Sequence, residues 1–180
     1  LGNSDPPGVA AGIVTLVGPA PRKGKGSGRS GRRGRGARSW ERTHLLSFPG
    51  SAYVKVAEGC SNRCTYCAIP LIRGDLASRP RADILEEIRG LVGRGIREMI
   101  LIAQDLGSYG RDGPAAGAAG ENSTPGLTGL LEGISAIKGE FWVRMLYIHP
   151  DRCPRGILDQ VAADRRFLPY FDLPFQHASP

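Results

Sequence analysis

The chain has 180 residues, 41% of them hydrophobic and 7% aromatic, and its 24 Lys and Arg against 17 Asp and Glu give a net charge of +7. That apolar content supports one domain with a real core and excludes a chain disordered throughout, and no apolar run approaches the length of a bilayer span, so no membrane partner is expected. Four cysteines, three of them crowded together, are a poor disulfide framework, which points to a reduced, cytoplasmic setting.

The positive charge is concentrated. Residues 20–38 (APRKGKGSGRSGRRGRGAR) hold eight basic side chains and no acidic one; with those eight set aside, 16 basic residues face 17 acidic ones and the remainder is close to neutral. Up to Arg42 the only apolar run is IVTLV at 13–17, too little burial to offset the backbone entropy and self-repulsion of the tract. Residues 1–50 are therefore expected to be a largely disordered Gly/Arg/Lys-rich linker or arm, able to make weak, salt-sensitive RNA contact through residues 20–38. The first residue is Leu1 and the last, Pro180, follows an apolar stretch, which leads us to expect a piece of a longer protein.

After Gly50, short apolar runs alternate with helical periodicity, the pattern of repeated βα units around a parallel sheet. Residues 52–57 (AYVKVA) predict the first strand. Pro80 and Asp83 open a helix, with Asp83 as N-cap and Glu86 as its capping-box partner; Ile84, Leu85, Ile88, Leu91 and Val92 share one face, and Gly93 and Gly95 end it. Residues 99–103 (MILIA) are apolar on both faces, as in a buried parallel strand. A helix over about 127–137, a strand over 141–147, a helix over 154–163 and a strand over 170–175 complete four strands and three helices in strict alternation. In such folds the ligand sits beyond the carboxyl ends of the strands, which marks segments 58–79, 104–112, 147–153 and 174–180 as functional.

The first of these segments contains GCSNRCTYCAIP, with Cys60, Cys64 and Cys67 spaced C-x-x-x-C-x-x-C. Thiols at this spacing hold an iron–sulfur cluster, or zinc with a ligand borrowed from afar, or remain unligated. The three histidines, His44, His149 and His177, are all distant in sequence. A cubane cluster with three protein ligands leaves one iron open to a small molecule, which gives three thiols a purpose that four would not have. Cys153, alone before a proline, is expected to be a small packing residue.

With Tyr66 as the aromatic before the last cysteine, this loop resembles that of the radical S-adenosylmethionine enzymes. The segments AYVKVAEGCSNRCTYCAIPLIRG, SRP at 78–80, MILIAQDLGSYG and LPYFDLPFQHASP resemble the methylthiotransferases, and within them the RimO group, over nearly everything from Tyr53 to Pro180. The sister MiaB group, which acts on an adenosine of tRNA, typically reads VPYTRG, GQN and PVQSGS where this chain reads IPLIRG, AQD and PFQHAS. The resemblance implies an α/β fold, a partial TIM-like (βα) barrel of the radical S-adenosylmethionine type over residues 51–180, preceded by the basic arm. It implies a 4Fe-4S cluster on Cys60, Cys64 and Cys67, and S-adenosylmethionine as cosubstrate, its methionine groups chelating the open iron. Tyr66, Gln104, Asp105, Gln176, His177 and Ser179 are then expected around the cosubstrate. It further implies a small-subunit ribosomal protein as substrate, methylthiolated at the β-carbon of an aspartate, and a reductant protein such as flavodoxin or ferredoxin. The family's second cluster is expected only in a full-length protein, because no cysteine precedes Cys60. Two other functions compete: a tRNA-modifying enzyme, which the basic arm favours, and a non-catalytic iron–sulfur or RNA-binding module. Arg73 and Arg79 in the loop are candidates for a carboxylate or phosphate, or solvated charges.

Overall fold

The computed structural model describes residues 45, 47–113 and 126–176. The arm, including residues 20–38, and the candidates His177 and Ser179 lie outside the described residues. The elements in chain order are β1 (Ser51–Lys55), β2 (Ala57–Glu58), α1 (Ile69–Arg73), β3 (Ala77–Ser78), α2 (Arg81–Gly93), β4 (Glu98–Ile102), α3 (Gly126–Ser135), β5 (Trp142–Met145), α4 (Ile157–Ala163) and β6 (Phe167–Phe171), with single 3-10 turns at Leu106–Ser108 and Pro150–Arg152.

β1, β4, β5 and β6 form one parallel sheet in that order. Each new strand is laid beside the one before it, always on the same side, as in a βα barrel; a doubly wound sheet would reverse at a switch point. The expected α/β class and partial barrel therefore hold. Alternation places Ala52, Val54, Met99, Leu101, Val143 and Met145 on the helix-covered face with no solvent exposure, packed with Ile84 and Ile88 of α2, Leu130 and Leu131 of α3, and Ile157 of α4. The opposite face carries Tyr53, Trp142 and Tyr170, all exposed, with Arg144 bonded to Glu98 at 2.8 Å and lying over the Tyr170 ring. Among the described residues no helix is long and apolar enough to cross a membrane.

Three expectations need correction. The N-cap of α2 is Pro80, and Asp83 sits inside the first turn with its N–H on the Pro80 carbonyl at 3.1 Å. Pro80 has neither a side-chain oxygen nor an N–H, so neither bond of a capping box can form at this N-cap. Residues 154–156 form a turn ahead of α4, with the Ile157 N–H on the Pro154 carbonyl, so that helix starts at Ile157. The last strand is Phe167–Phe171, three residues before the expected start. Arg166 decides this, because its guanidinium reaches the Ser135 carbonyl at the end of α3, the Ile137 carbonyl just past it, Asp164 beside it and the face of Phe141, which delivers Phe167 to the core. Within β6 the register slips between the Val143–Phe167 and Met145–Phe171 pairs, around Pro169, which has no N–H to donate. The short α1 and the antiparallel β2–β3 pair were not anticipated; they are the frame of the cysteine loop.

Candidate active site

The carboxyl ends of β1, β4 and β5 and the segment after β6 surround a cavity of about 470 Å³. Its first wall is the cysteine loop. Gly59 opens it at φ 72, where a Cβ would lie 2.2 Å from the Asp75 carbonyl oxygen, so only glycine lets the two ends of the loop approach. The ends are tied by the Cys60 N–H to the Gly74 carbonyl (3.2 Å), the Leu76 N–H to the Ser61 hydroxyl (3.1 Å) and Arg63 to Asp75 (2.7 Å). A turn from the Cys64 carbonyl to the Cys67 N–H folds the second and third cysteines together. All three are free, partly exposed thiols that line the cavity.

Burial pushes the Cys60 thiol up, against a hydrogen bond from the Asn62 backbone and with Asp105, Cys64 and Cys67 adding to it. Among the described residues no lysine or arginine lines the cavity to offset several thiolates there. A cationic centre would offset them. Among the described residues, no three Cys, His, Asp or Glu side chains converge as ligands of one metal ion.

The second wall comes from the ends of β4 and β5. Gln104 lines the cavity with its Oε1 buried and, among the described residues, unpartnered. Asp105 lies behind it at 1% exposure, and its carboxylate accepts from Asn62 Nδ2 (2.9 Å), the Ser108 hydroxyl (2.6 Å), the Gly107 N–H (3.2 Å) and the His149 N–H (3.1 Å). Asp105 thus caps the 3-10 turn and joins three loops. Tyr147 and His149 follow β5 and line the cavity. Tyr147 is left-handed at φ 61, and its hydroxyl is pushed up by burial first, then by Tyr66, Cys67, Asp105 and Cys64. Ile69, Ile102, Ala103 and Leu146 supply an apolar lining.

The expected residues Tyr66 and Gln176 meet across the mouth, with the Tyr66 hydroxyl donating to Gln176 Oε1 at 2.7 Å and Gln176 Nε2 to the Pro174 carbonyl at 2.8 Å. Arg73 is paired with Glu58 and Arg79 with the buried Glu87, so both candidate anion binders are engaged within the protein. Cys153 packs partly buried against the core, away from the cavity. Asn62, Tyr147 and His149 were not singled out individually. The last two fall in the segment 147–153 marked by strand polarity, which was the available signal.

No family model matches the chain. It is 50% identical over 138 residues to the ribosomal protein uS12 methylthiotransferase RimO of Treponema denticola, a match covering 76% of the chain and 30% of the relative. It is 45% identical over 128 residues to the RimO protein of Carboxydothermus hydrogenoformans (71% and 27%) and 45% over 138 residues to that of Geobacter sulfurreducens (76% and 29%). Among solved structures it is similar to the radical S-adenosylmethionine methyltransferase TsrM of Kitasatospora setae, with cobalamin and a 4Fe-4S cluster bound, at 18% identity and a TM-score of 0.44 over 62% of this chain and 20% of that one. The chain spans at most 30% of the length of these three RimO relatives. With half of 138 residues shared with a RimO protein, the chain is similar to the RimO methylthiotransferases over about three quarters of its own length.

Proposed function

We propose that residues 51–180 are the cosubstrate-cleaving part of a radical S-adenosylmethionine methylthiotransferase whose target is an aspartate of ribosomal protein uS12. The observation that carries this reading is three free thiols on one wall of a cavity at the carboxyl ends of a parallel sheet, in a chain half identical to a RimO protein.

In this reading Cys60, Cys64 and Cys67 hold a 4Fe-4S cluster. When bound, the cluster supplies the electron that cleaves the sulfonium of S-adenosylmethionine and leaves a 5′-deoxyadenosyl radical. The chain's own residues do the rest. Gln104, with an unmet buried acceptor, takes up the amino group of the cosubstrate's methionine portion. Asp105 holds the loops that carry Asn62 and His149 at fixed distances from each other. Tyr66 and Gln176 close the mouth, with His177 and Ser179 next along the chain, and the aliphatic lining excludes water from a reactive centre. A cytoplasmic flavodoxin or ferredoxin supplies the electron, and the basic arm adds at most weak RNA contact.

Anaerobic reconstitution of the 180-residue protein is expected to give a brown product with about four irons and four sulfides per chain. Replacing Cys60, Cys64 or Cys67 by alanine removes the iron, and Cys153→Ala retains it. A colourless protein with one zinc per chain would sink the proposal.

A further inference from the structure

The loop after β5 combines a strained backbone with two polar side chains, Tyr147 and His149, that line the cavity. Tyr147 has φ 61, a conformation unfavourable for a residue with a bulky side chain. It is imposed from several sides. The Leu146 N–H donates to the Leu101 carbonyl (3.2 Å), Tyr147 N–H to Asp172 Oδ2 (3.1 Å), Ile148 N–H to the Asp172 carbonyl (2.9 Å) and His149 N–H to Asp105 Oδ1 (3.1 Å). The Tyr147 carbonyl accepts from the Leu106 N–H (2.9 Å). β4, the turn after it and the segment after β6 thus fix four successive N–H groups. The core does not require the ring they aim, since Tyr147 is 42% exposed and borders the cavity. Strain kept for a half-exposed side chain marks a functional position.

Two residues on, His149 Nδ1 accepts the Asp151 N–H at 3.3 Å, so the proton of the neutral ring sits on Nε2. Its side chain is 14% exposed and lines the same cavity. The other polar groups there are largely spent. The Tyr66 hydroxyl and Gln176 amide are bonded to each other and to Pro174, and Asn62 Nδ2 is held by Asp105. Among the described residues, neither the Tyr147 hydroxyl nor His149 Nε2 has a hydrogen-bond partner.

From this pair we infer a carboxylate-binding site: the Tyr147 hydroxyl and His149 Nε2–H donate to the two oxygens of one carboxylate in the cavity. Among the described residues no acidic side chain lines the cavity to compete for them. The carboxylate belongs either to the methionine portion of S-adenosylmethionine or to the target aspartate, and both sources rest on the function proposed above.

The test uses the reconstituted 180-residue protein and two pairs of probes. Calorimetry compares S-adenosylmethionine with its decarboxylated analogue. NMR titration compares N-acetyl-aspartate amide with N-acetyl-asparagine amide, read at the His149 ring. His149→Asn keeps an acceptor for the Asp151 N–H and deletes the donor, Tyr147→Phe keeps the ring, and His149→Gln restores a donor near the Nε2 position. We expect the first two variants to bind the carboxylate member of one pair at least tenfold more weakly, to bind its neutral counterpart unchanged, and His149→Gln to recover part of the loss. The affected pair identifies the source. Variants with wild-type iron content that bind every probe like wild type overturn the inference, as does a wild-type protein that prefers neither carboxylate. If His149→Asn fails to fold, Tyr147→Phe decides alone. A wild-type protein without iron discards the cluster reading, while the aspartate and asparagine titration still decides the carboxylate site.

Discussion

The two walls of the cavity are built in opposite ways. On the cysteine side, α1 buries none of its residues, and Leu71 and Ile72 are 89% and 71% exposed. The hydrogen bonds that tie this loop across the cavity are Asn62 to Asp105 and Tyr66 to Gln176. On the facing side, Asp105, Leu106, Gly107, Ser108 and Tyr109 are all buried, and Asp105 alone collects four hydrogen bonds. The difference teaches that core packing sets one wall, while hydrogen bonds at its base and mouth hold the other. In small sites where thiols supply the ligands, metal binding energy is also ordering energy.

The comparison breaks most sharply at Asp105. Asp105→Ala strands four donors in a buried place and is expected to cost roughly 3–5 kcal/mol, and Asp105→Asn about 2 kcal/mol, because the amide keeps the shape but turns one acceptor into a donor. Urea denaturation measures both. A loss below about 1 kcal/mol for the alanine variant would show that the wall does not depend on its hub.

Gly59→Ala probes the tethered wall. A Cβ 2.2 Å from the Asp75 oxygen, on a left-handed backbone, should force the loop ends apart at a cost of roughly 2–3 kcal/mol. Iron content should fall with it, since Cys60 is the next residue. Full iron loading in this variant would mean that the cluster can organise the loop without its base.

The smallest effect sharpens the boundary between the walls. Asp112, in the loop after β4, accepts the Ser78 N–H at 2.7 Å and so ties β3, the strand that closes the cysteine loop, to the folded wall. Burial raises its carboxyl, but the hydrogen bonds from the Ser78 hydroxyl and N–H outweigh that and leave it below its ordinary value. A depressed acid stabilises the folded state above the unfolded pKa near 3.9, and that contribution disappears as pH falls through the folded value. For an exposed, solvent-screened group it is worth about a few tenths of a kcal/mol. Asp112→Asn should therefore lower neutral stability by about those few tenths of a kcal/mol and converge with wild type as pH falls through the folded value, which flattens the acid end of the variant's profile. An acid limb identical to wild type would place the tie elsewhere.

Short-range patterns carried much of this molecule. Alternation in AYVKVA and the unbroken apolar run MILIA mark β1 and β4 because side-chain periodicity is local, and Ile84, Ile88 and Leu91 mark the buried stripe of α2 for the same reason. The cysteine spacing and strand polarity together put the thiols at the carboxyl end of the sheet. Four features were decided by tertiary structure. Asp105 is a hub because its donors come from positions 62, 107, 108 and 149, two of them more than 40 residues away. Tyr147 is left-handed because Leu106 and Asp172 capture the peptides on either side of it. β6 begins at Phe167 because Arg166 is anchored at the far end of α3, and β2 pairs with β3 across the cysteine loop. Each depends on a hydrogen bond whose partner lies far along the chain, and local composition does not encode a partner that only the folded backbone brings within hydrogen-bond distance.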